Sequence, residues 1–269
     1  MTGETLDWLD CYYEAVEFFY WEPQHLRVKT HAAVEATKLA TIAKNAKSVE
    51  QVRGRLRQME VTLNHNIQQF FSLAPTGFRN NLFGKVFGDQ FNNTFVMQGR
   101  EVDEKFALKG CMQPDLVFMS EREVVSVEMK IKSKCSVSQV LKYALLGLAI
   151  ERQQKAQKQH YLVLLGPGDI TKQFRERFLS SDDLNVAIKK KELLSAFLAG
   201  KPPVFCQDQQ RQRLEEIVDK MKVRFLSYKD LTDTLVGAVP QQADQSAGAE
   251  VYRNLISGLC REISDRKLL

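Results

Sequence analysis

The stretch from residue 115 to residue 166 constrains the fold more tightly than any other part of the chain. DLVFMS (115–120) and EVVSVEMKIK (123–132) are short runs rich in valine, isoleucine and aromatic or sulfur side chains, separated by Ser120, Glu121 and Arg122. Such spacing predicts two strands joined as a hairpin. Residues 138–154 follow with helical periodicity, and YLVLLG (161–166) reads as a buried strand ending at Gly166, Pro167 and Gly168. A strand, a helix and a second strand in one sheet call for a right-handed crossover and parallel pairing. A hairpin feeding a crossover therefore predicts an α/β protein with a mixed sheet flanked by helices.

The flanks are predicted as follows. Residues 4–21 form an acidic, aromatic-rich helix that ends before Pro23. Residues 31–71 are two helices, or one broken near Lys47 and Ser48. The second half starts at a Ser48 cap and carries the apolar stripe Val49, Val52, Leu56, Met59, Leu63 and Ile67, with Arg53, Arg55 and Arg57 on the other side. Pro75, Gly77, Gly84 and Gly88 mark residues 74–93 as a loop. TFVMQ (94–98) and KFALKG (105–110) read as strands. Helices are expected at about 170–179, 184–198 and 207–221, then a strand at 223–228 and a short helix from Lys229. The domain boundaries that result are a helical N-terminal region at 1–47, an α/β domain with its extension at 48–237, a polar Ala/Gln-rich linker at 238–250 and a C-terminal helix at 251–269.

Composition excludes some classes and leaves others open. A hydrophobic share of 44% with 26% charged residues is too apolar for wholesale disorder. The net charge of +5 is compatible with nucleic acid without requiring it. The five cysteines and four histidines show no CxxC, HExxH or zinc-like spacing, which fits reduced thiols and a cytoplasmic setting. The start, MTGETLDWLD, lacks the pattern of a secretory signal. The longest apolar run, ALLGLAI, is too short to cross a bilayer, so no membrane association is expected.

Glu128 and Lys130 stand out because they sit in a strand. Alternation places Val125, Val127, Met129 and Ile131 on one face, and Val124, Ser126, Glu128 and Lys130 on the other. Charges buried there cost several kcal/mol unless paired or metal-bound. A hairpin turning around Glu121 brings Asp115, at the start of its strand, close to Glu128. Pro114 suits a first strand position, where its missing N–H is harmless. Two adjacent carboxylates with a lysine suit a hard cation such as Mg²⁺ and a phosphate ester.

Pro114-Asp115 followed by Glu128-Met129-Lys130 resembles the PD-(D/E)xK nuclease superfamily, whose restriction-endonuclease-like core is αβββαβ. The resemblance covers residues 48–166, under half of the chain. Gln139 and Tyr143 add a QxxxY on the following helix, as in the RecB-type branch. The resemblance implies a metal-dependent nuclease that hydrolyses phosphodiester bonds. Asp115, Glu128 and Lys130 would be catalytic, and the metal would be held by Asp115, Glu128 and the Met129 carbonyl. Gln139, Tyr143, Lys132 and Lys134 would lie toward the substrate. The superfamily usually adds an acid from the helix before the sheet; Glu60 is the first candidate here and Glu50 the second. Mg²⁺ is the implied cofactor, with Mn²⁺ able to substitute. DNA is the implied partner, and RNA fits the same centre.

Other readings stay open. A nuclease-like module with a degenerate centre could bind nucleic acid or a partner protein. The chain could equally be an active subunit of a defence, repair or mobile-element complex, and its aromatic N-terminal helix offers a surface for a homodimer or for docking. Lys142 and the Arg53, Arg55 and Arg57 cluster extend the positive charge, as phosphate contacts or as a solvated face. No helix-turn-helix, zinc finger or Walker sequence occurs.

Overall fold

The computed structural model describes residues 8–13, 48–57, 59–98, 114–131, 134–168, 181–199, 207–240 and 246–269. The expected strand at 105–110, the helix at 170–179, the stretch 31–47 and most of the N-terminal aromatic helix lie outside them. The helices are α1 Val49–Leu56, α2 Glu60–Leu73, α3 Thr76–Phe87, α4 Val137–Gln154, α5 Ser181–Ile188, α6 Lys191–Leu198, α7 Asp208–Lys220, α8 Tyr228–Gly237 and α9 Ala247–Asp265. The strands are β1 Val96–Met97, β2 Leu116–Met119, β3 Glu123–Met129, β4 Gln159–Gly166 and β5 Lys222–Ser227. Two compact units divide the chain: Met1–Phe70 with Leu235–Lys267, and Phe71–Thr234 with Leu268–Leu269.

The second unit is α/β, built on a five-stranded mixed sheet in the order β1-β2-β3-β4-β5. β1, β2 and β3 pair antiparallel, whereas β4 and β5 run parallel to β3. Both faces of β3 are buried, because the alternate residues meet different layers. Val117, Met119 and Val124 join the cluster formed with Val140, Leu141, Ala144 and Leu148 of α4. Phe118, on the opposite face, meets Phe71 and Phe83 with ring centroids 5.4 Å away in each case. The face that carries Glu128 is therefore not open to water along its length, as alternation alone suggests; α4 covers it.

Four local expectations change. Residues 76–87 are helical rather than loop. Pro75 holds the N-cap position, Gly88 closes the helix in the left-handed region at φ 72°, and Phe78, Leu82, Phe83 and Phe87 supply the buried face. The proline and the last glycine are helix punctuation.

The helix expected over 184–198 is two, α5 and α6. Leu184 and Ile188 are buried, as are Leu194 and Leu198. In one continuous helix those two pairs would point about 80° apart. A break at Lys189 and Lys190 lets both face α4. The last helix begins at Ala247 rather than Val251, because the Ser246 hydroxyl accepts the Ala249 N–H at 3.2 Å.

In the first unit the stripe Val52, Leu56, Leu63 and Ile67 is buried as expected, but the chain breaks between α1 and α2. Arg266 docks beside the break. Its Nη1 donates to the Met59 carbonyl at 2.9 Å and its Nη2 to Thr62 Oγ1 at 2.7 Å. Its Nε donates to Glu262, which is 0% exposed. The Leu56 carbonyl, which an unbroken helix would bond to the Glu60 N–H, instead meets the Met59 N–H at 3.0 Å and the Thr62 hydroxyl at 2.6 Å.

A second buried ion cluster braces the far end of the sheet. Glu151 accepts from Arg213 Nε at 2.8 Å and Nη2 at 2.9 Å, and from the Lys158 N–H at 2.9 Å. His160 Nε2 lies 2.9 Å from the same carboxylate. Burial alone would raise the pKa of Glu151, but these partners hold it at about 2. A carboxyl lowered from its ordinary 4.5 adds stability that is full above that value and is lost as pH falls through 2. The stability difference between wild type and Glu151→Gln, followed by denaturant unfolding, should be largest near neutrality and shrink between pH 4.5 and 2.

Two helical glycines should respond in opposite directions. A Cβ on Gly147 would come within 2.8 Å of the His160 ring, whereas one on Gly54 meets nothing within 4 Å. Gly147→Ala is expected to cost about 1–3 kcal/mol, and Gly54→Ala to add roughly 0.5–1 kcal/mol. Thermal unfolding of the two variants checks both signs.

Candidate functional site

The site forms where β2 begins and β3 ends. The ladder pairs Leu116 with Val127 and Val117 with Ser126. Extending it by one residue sets Asp115 opposite Glu128, and residues directly opposite each other share a face. The next turns of chain bring α4 back over that face, with Ser136 as its N-cap. Gln139 and Tyr143, one helical turn apart, therefore arrive above Glu128.

The contacts are specific. Lys130 Nζ lies 2.6 Å from Glu128 Oε1. Gln139 Nε2 donates to the same oxygen at 3.4 Å, and the Tyr143 hydroxyl donates to Oε2. Gln139 also accepts the Ser136 N–H at 3.1 Å, so one amide both caps α4 and steadies Glu128. Asp115 Oδ2 accepts the Met129 N–H at 2.7 Å.

Burial gives these contacts their weight. Glu128 is 7% exposed, and the Lys130 side chain 14%. Charges this far from water need compensation, which the lysine, the amide and the phenol supply together. Burial pushes the Tyr143 hydroxyl well above its ordinary pKa, and the nearby charges of Glu128 and Asp115 push it the same way. The phenol thus stays a donor across the physiological range.

These donors fit a magnesium-like ion. Among the described residues Glu128 Oε1 carries two hydrogen bonds and Oε2 one, of about four lone-pair positions on a carboxylate, so one position on Oε2 remains there. In extended backbone a residue's N–H and C=O point to the same edge. The Met129 carbonyl therefore lies toward Asp115, as its N–H does. Two carboxylates and a carbonyl make an oxygen-only set, which suits Mg²⁺ with water completing its shell. Among the described residues no group of three or more His, Cys, Asp or Glu side chains gathers; Asp115 and Glu128 are the two side chains that could hold an ion here.

The structure brings together Asp115, Glu128, Met129, Lys130, Gln139 and Tyr143. Glu60 opens α2 in the first unit, where its charge complements the positive end of the helix. The Glu50 and Arg53 side chains and Lys132 lie outside what is described. Lys134 is exposed, and Lys142 is partly buried on α4. Arg57 is committed within the first unit, 3.3 Å from Asp265 and 4.8 Å from the centre of the Tyr13 ring.

Sequence reasoning missed the Glu151 cluster, though a signal was present. Val140, Ala144, Leu148 and Glu151 are spaced by four, four and three, which puts Glu151 on the buried stripe of α4.

Comparison with protein-family models, with curated proteins and with solved structures finds no match. The functional reading therefore stands on this chain's own geometry.

The Asp115 bond generates a prediction separate from any chemistry. Asp115→Ala leaves the partly buried Met129 N–H without its acceptor and should cost about 1–3 kcal/mol. Asp115→Asn keeps an oxygen there and should cost less. Denaturant unfolding of the pair separates the fold role of Asp115 from a ligand role.

Proposed function

We propose that this chain is a metal-dependent nuclease of the PD-(D/E)xK type, acting on phosphodiester bonds in DNA. One observation carries the reading: Asp115, Glu128 and Lys130 converge at one end of a β2–β3 hairpin, with Gln139 and Tyr143 bonded to the same Glu128. The order of a helix, three strands, a helix and a parallel strand agrees with the restriction-endonuclease-like core.

In this reading Asp115, Glu128 and the Met129 carbonyl hold Mg²⁺ or Mn²⁺. The ion, when bound, supplies positive charge to a phosphodiester and favours attack by water. Glu128 keeps Lys130 in place, and the ammonium offsets negative charge that builds on the phosphate oxygens. Tyr143 and Gln139 fix the Glu128 carboxylate from behind, leaving its remaining lone pair for the metal. The same centre would serve alone or within a defence, repair or mobile-element complex.

A second reading has an observation of its own. Glu128 is already engaged by Lys130, Gln139 and Tyr143, so the cluster can act as a structural knot in a nuclease-like binding module.

Incubating the chain with circular and linear DNA in Mg²⁺ or Mn²⁺, with EDTA as control, separates the two. The nuclease reading expects metal-dependent cleavage that falls roughly 10²- to 10⁴-fold in Lys130→Ala. No cleavage, together with no metal binding by calorimetry, favours the binding module.

A further inference from the structure

A cleft on the second unit opens between α3 and α8, over the end of β5, and encloses about 390 Å³. The volume is in the range of small-molecule sites. Asp230, Asp233 and Thr234 of α8 line one wall, and their spacing of three and four from Asp230 stacks them on one side of the helix. Leu82 and Lys85 of α3 stand across from them, and Leu226 of β5 lies at the floor. The ladder pairs Leu226 with Leu165, and Leu165 with Met129. Paired residues share a face, so this floor lies on the side of the sheet opposite Glu128.

The two walls carry opposite charges that do not meet. Lys85 is exposed and makes no ion pair among the described residues. Asp233 is taken by Lys229, one turn away on its own helix, at 2.5 Å. Asp230 accepts the Ser227 hydroxyl at 2.6 Å, a neutral donor that occupies one of its oxygens. One cation on the first wall and one carboxylate on the second therefore face the same space.

Thr234 is a separate sign of a ligand. It is 9% exposed, it lines the cleft, and its hydroxyl has no hydrogen-bond partner among the described residues. A helical threonine can return its hydroxyl to the carbonyl four residues back, as Thr232 does to Tyr228 at 2.8 Å. Thr234 does not, and a buried hydroxyl left unpaired is costly. It stands one turn beyond Asp230 on the same face of α8. The rest of the lining is apolar: Leu82 and Leu226 are buried, and Phe225 is partly so.

We propose that this cleft binds a free α-amino acid with a branched aliphatic side chain. Asp230 and Thr234 take the ammonium, Lys85 takes the carboxylate, and the side chain rests on Leu82, Phe225 and Leu226. A zwitterion answers both walls at once, which neither a simple amine nor a simple acid does. Hydrogen bonds between ionised partners are also the strong ones. The site is independent of the nuclease reading: it shares no residue with the candidate centre.

The test is calorimetric titration of the full chain with L-leucine, L-leucinamide, 4-methylpentanoate and glycine. Saturable binding of leucine is expected. It should be about tenfold tighter than the amide without the carboxylate, the acid without the ammonium, or glycine without the side chain. Lys85→Met should erase the preference for leucine over leucinamide, and Asp230→Asn the preference over 4-methylpentanoate. Thr234→Val should weaken leucine about tenfold without lowering the unfolding temperature, and Lys130→Ala should change nothing. Absence of saturable leucine binding overturns the proposal. So does binding in which the amide and the acid match leucine, or binding unaltered in both Lys85→Met and Asp230→Asn. Binding lost in Lys130→Ala also overturns it, by assigning the ligand to the candidate centre.

Discussion

β3 has an antiparallel neighbour on one side and a parallel one on the other, and the rest of the second unit depends on that pairing. The antiparallel partner fixes which residue of β2 stands beside Glu128. The parallel partner forces a crossover, and the crossover must start where β3 ends. A helix N-terminus is thereby delivered to the same edge of the sheet as Asp115. Neither a wholly antiparallel nor a wholly parallel sheet would put a β2 carboxylate, a β3 carboxylate and the first turns of a helix together. Side-chain alternation then adds its own condition. A register slip of one residue would turn Glu128 toward the aromatic layer around Phe118, where nothing described could answer its charge.

Burial explains why the polar groups in this unit occur in closed sets. Glu128 is met by an ammonium, an amide and a phenol, and Glu151 by a guanidinium, a main-chain N–H and an imidazole. Each carboxylate is about as buried as its apolar neighbours, so each must carry its own compensation into the interior. The two sets differ in what adjoins them. The Glu151 carboxylate is gripped by an arginine fork. The Glu128 carboxylate lies beside a second carboxylate, Asp115, which is bonded to the N–H of Met129, and this pairing of acids makes it the better candidate for chemistry.

The sequence made the hairpin, the α4 crossover and β4 legible because the apolar period changes at each boundary and the turn residues sit between. Asp115, Glu128 and Lys130 could be grouped from strand alternation alone, once the hairpin was placed. Other features depend on partners distant in the chain. Arg266 docks on the start of α2 from about 200 residues away, and no local propensity announces that contact. The break between α5 and α6 follows from a shared need to face α4, which single-helix periodicity does not contain. Pro75 and Gly88 were visible but ambiguous: the same residues punctuate loops and cap helices, and only the buried phenylalanines between them decide which. The covering of Glu128 by α4 was hidden for a similar reason, since alternation assigns a face without saying what lies over it.

Lys158 has one more consequence for how this unit can vary. Its ammonium donates to the carbonyls of Ser120 at 2.6 Å and Glu121 at 2.7 Å, gripping the hairpin turn from the start of β4. The lysine's grip is on the main chain, so that contact depends less on the side chains of the turn than on how many residues it contains. Evolution or design could rewrite Glu121 and Arg122 with little effect, whereas the Ser120 hydroxyl accepts the Arg122 and Glu123 N–H groups and so fixes that letter of the turn. Adding or deleting one residue there would be felt at the opposite end of the hairpin, where Asp115 and Glu128 meet.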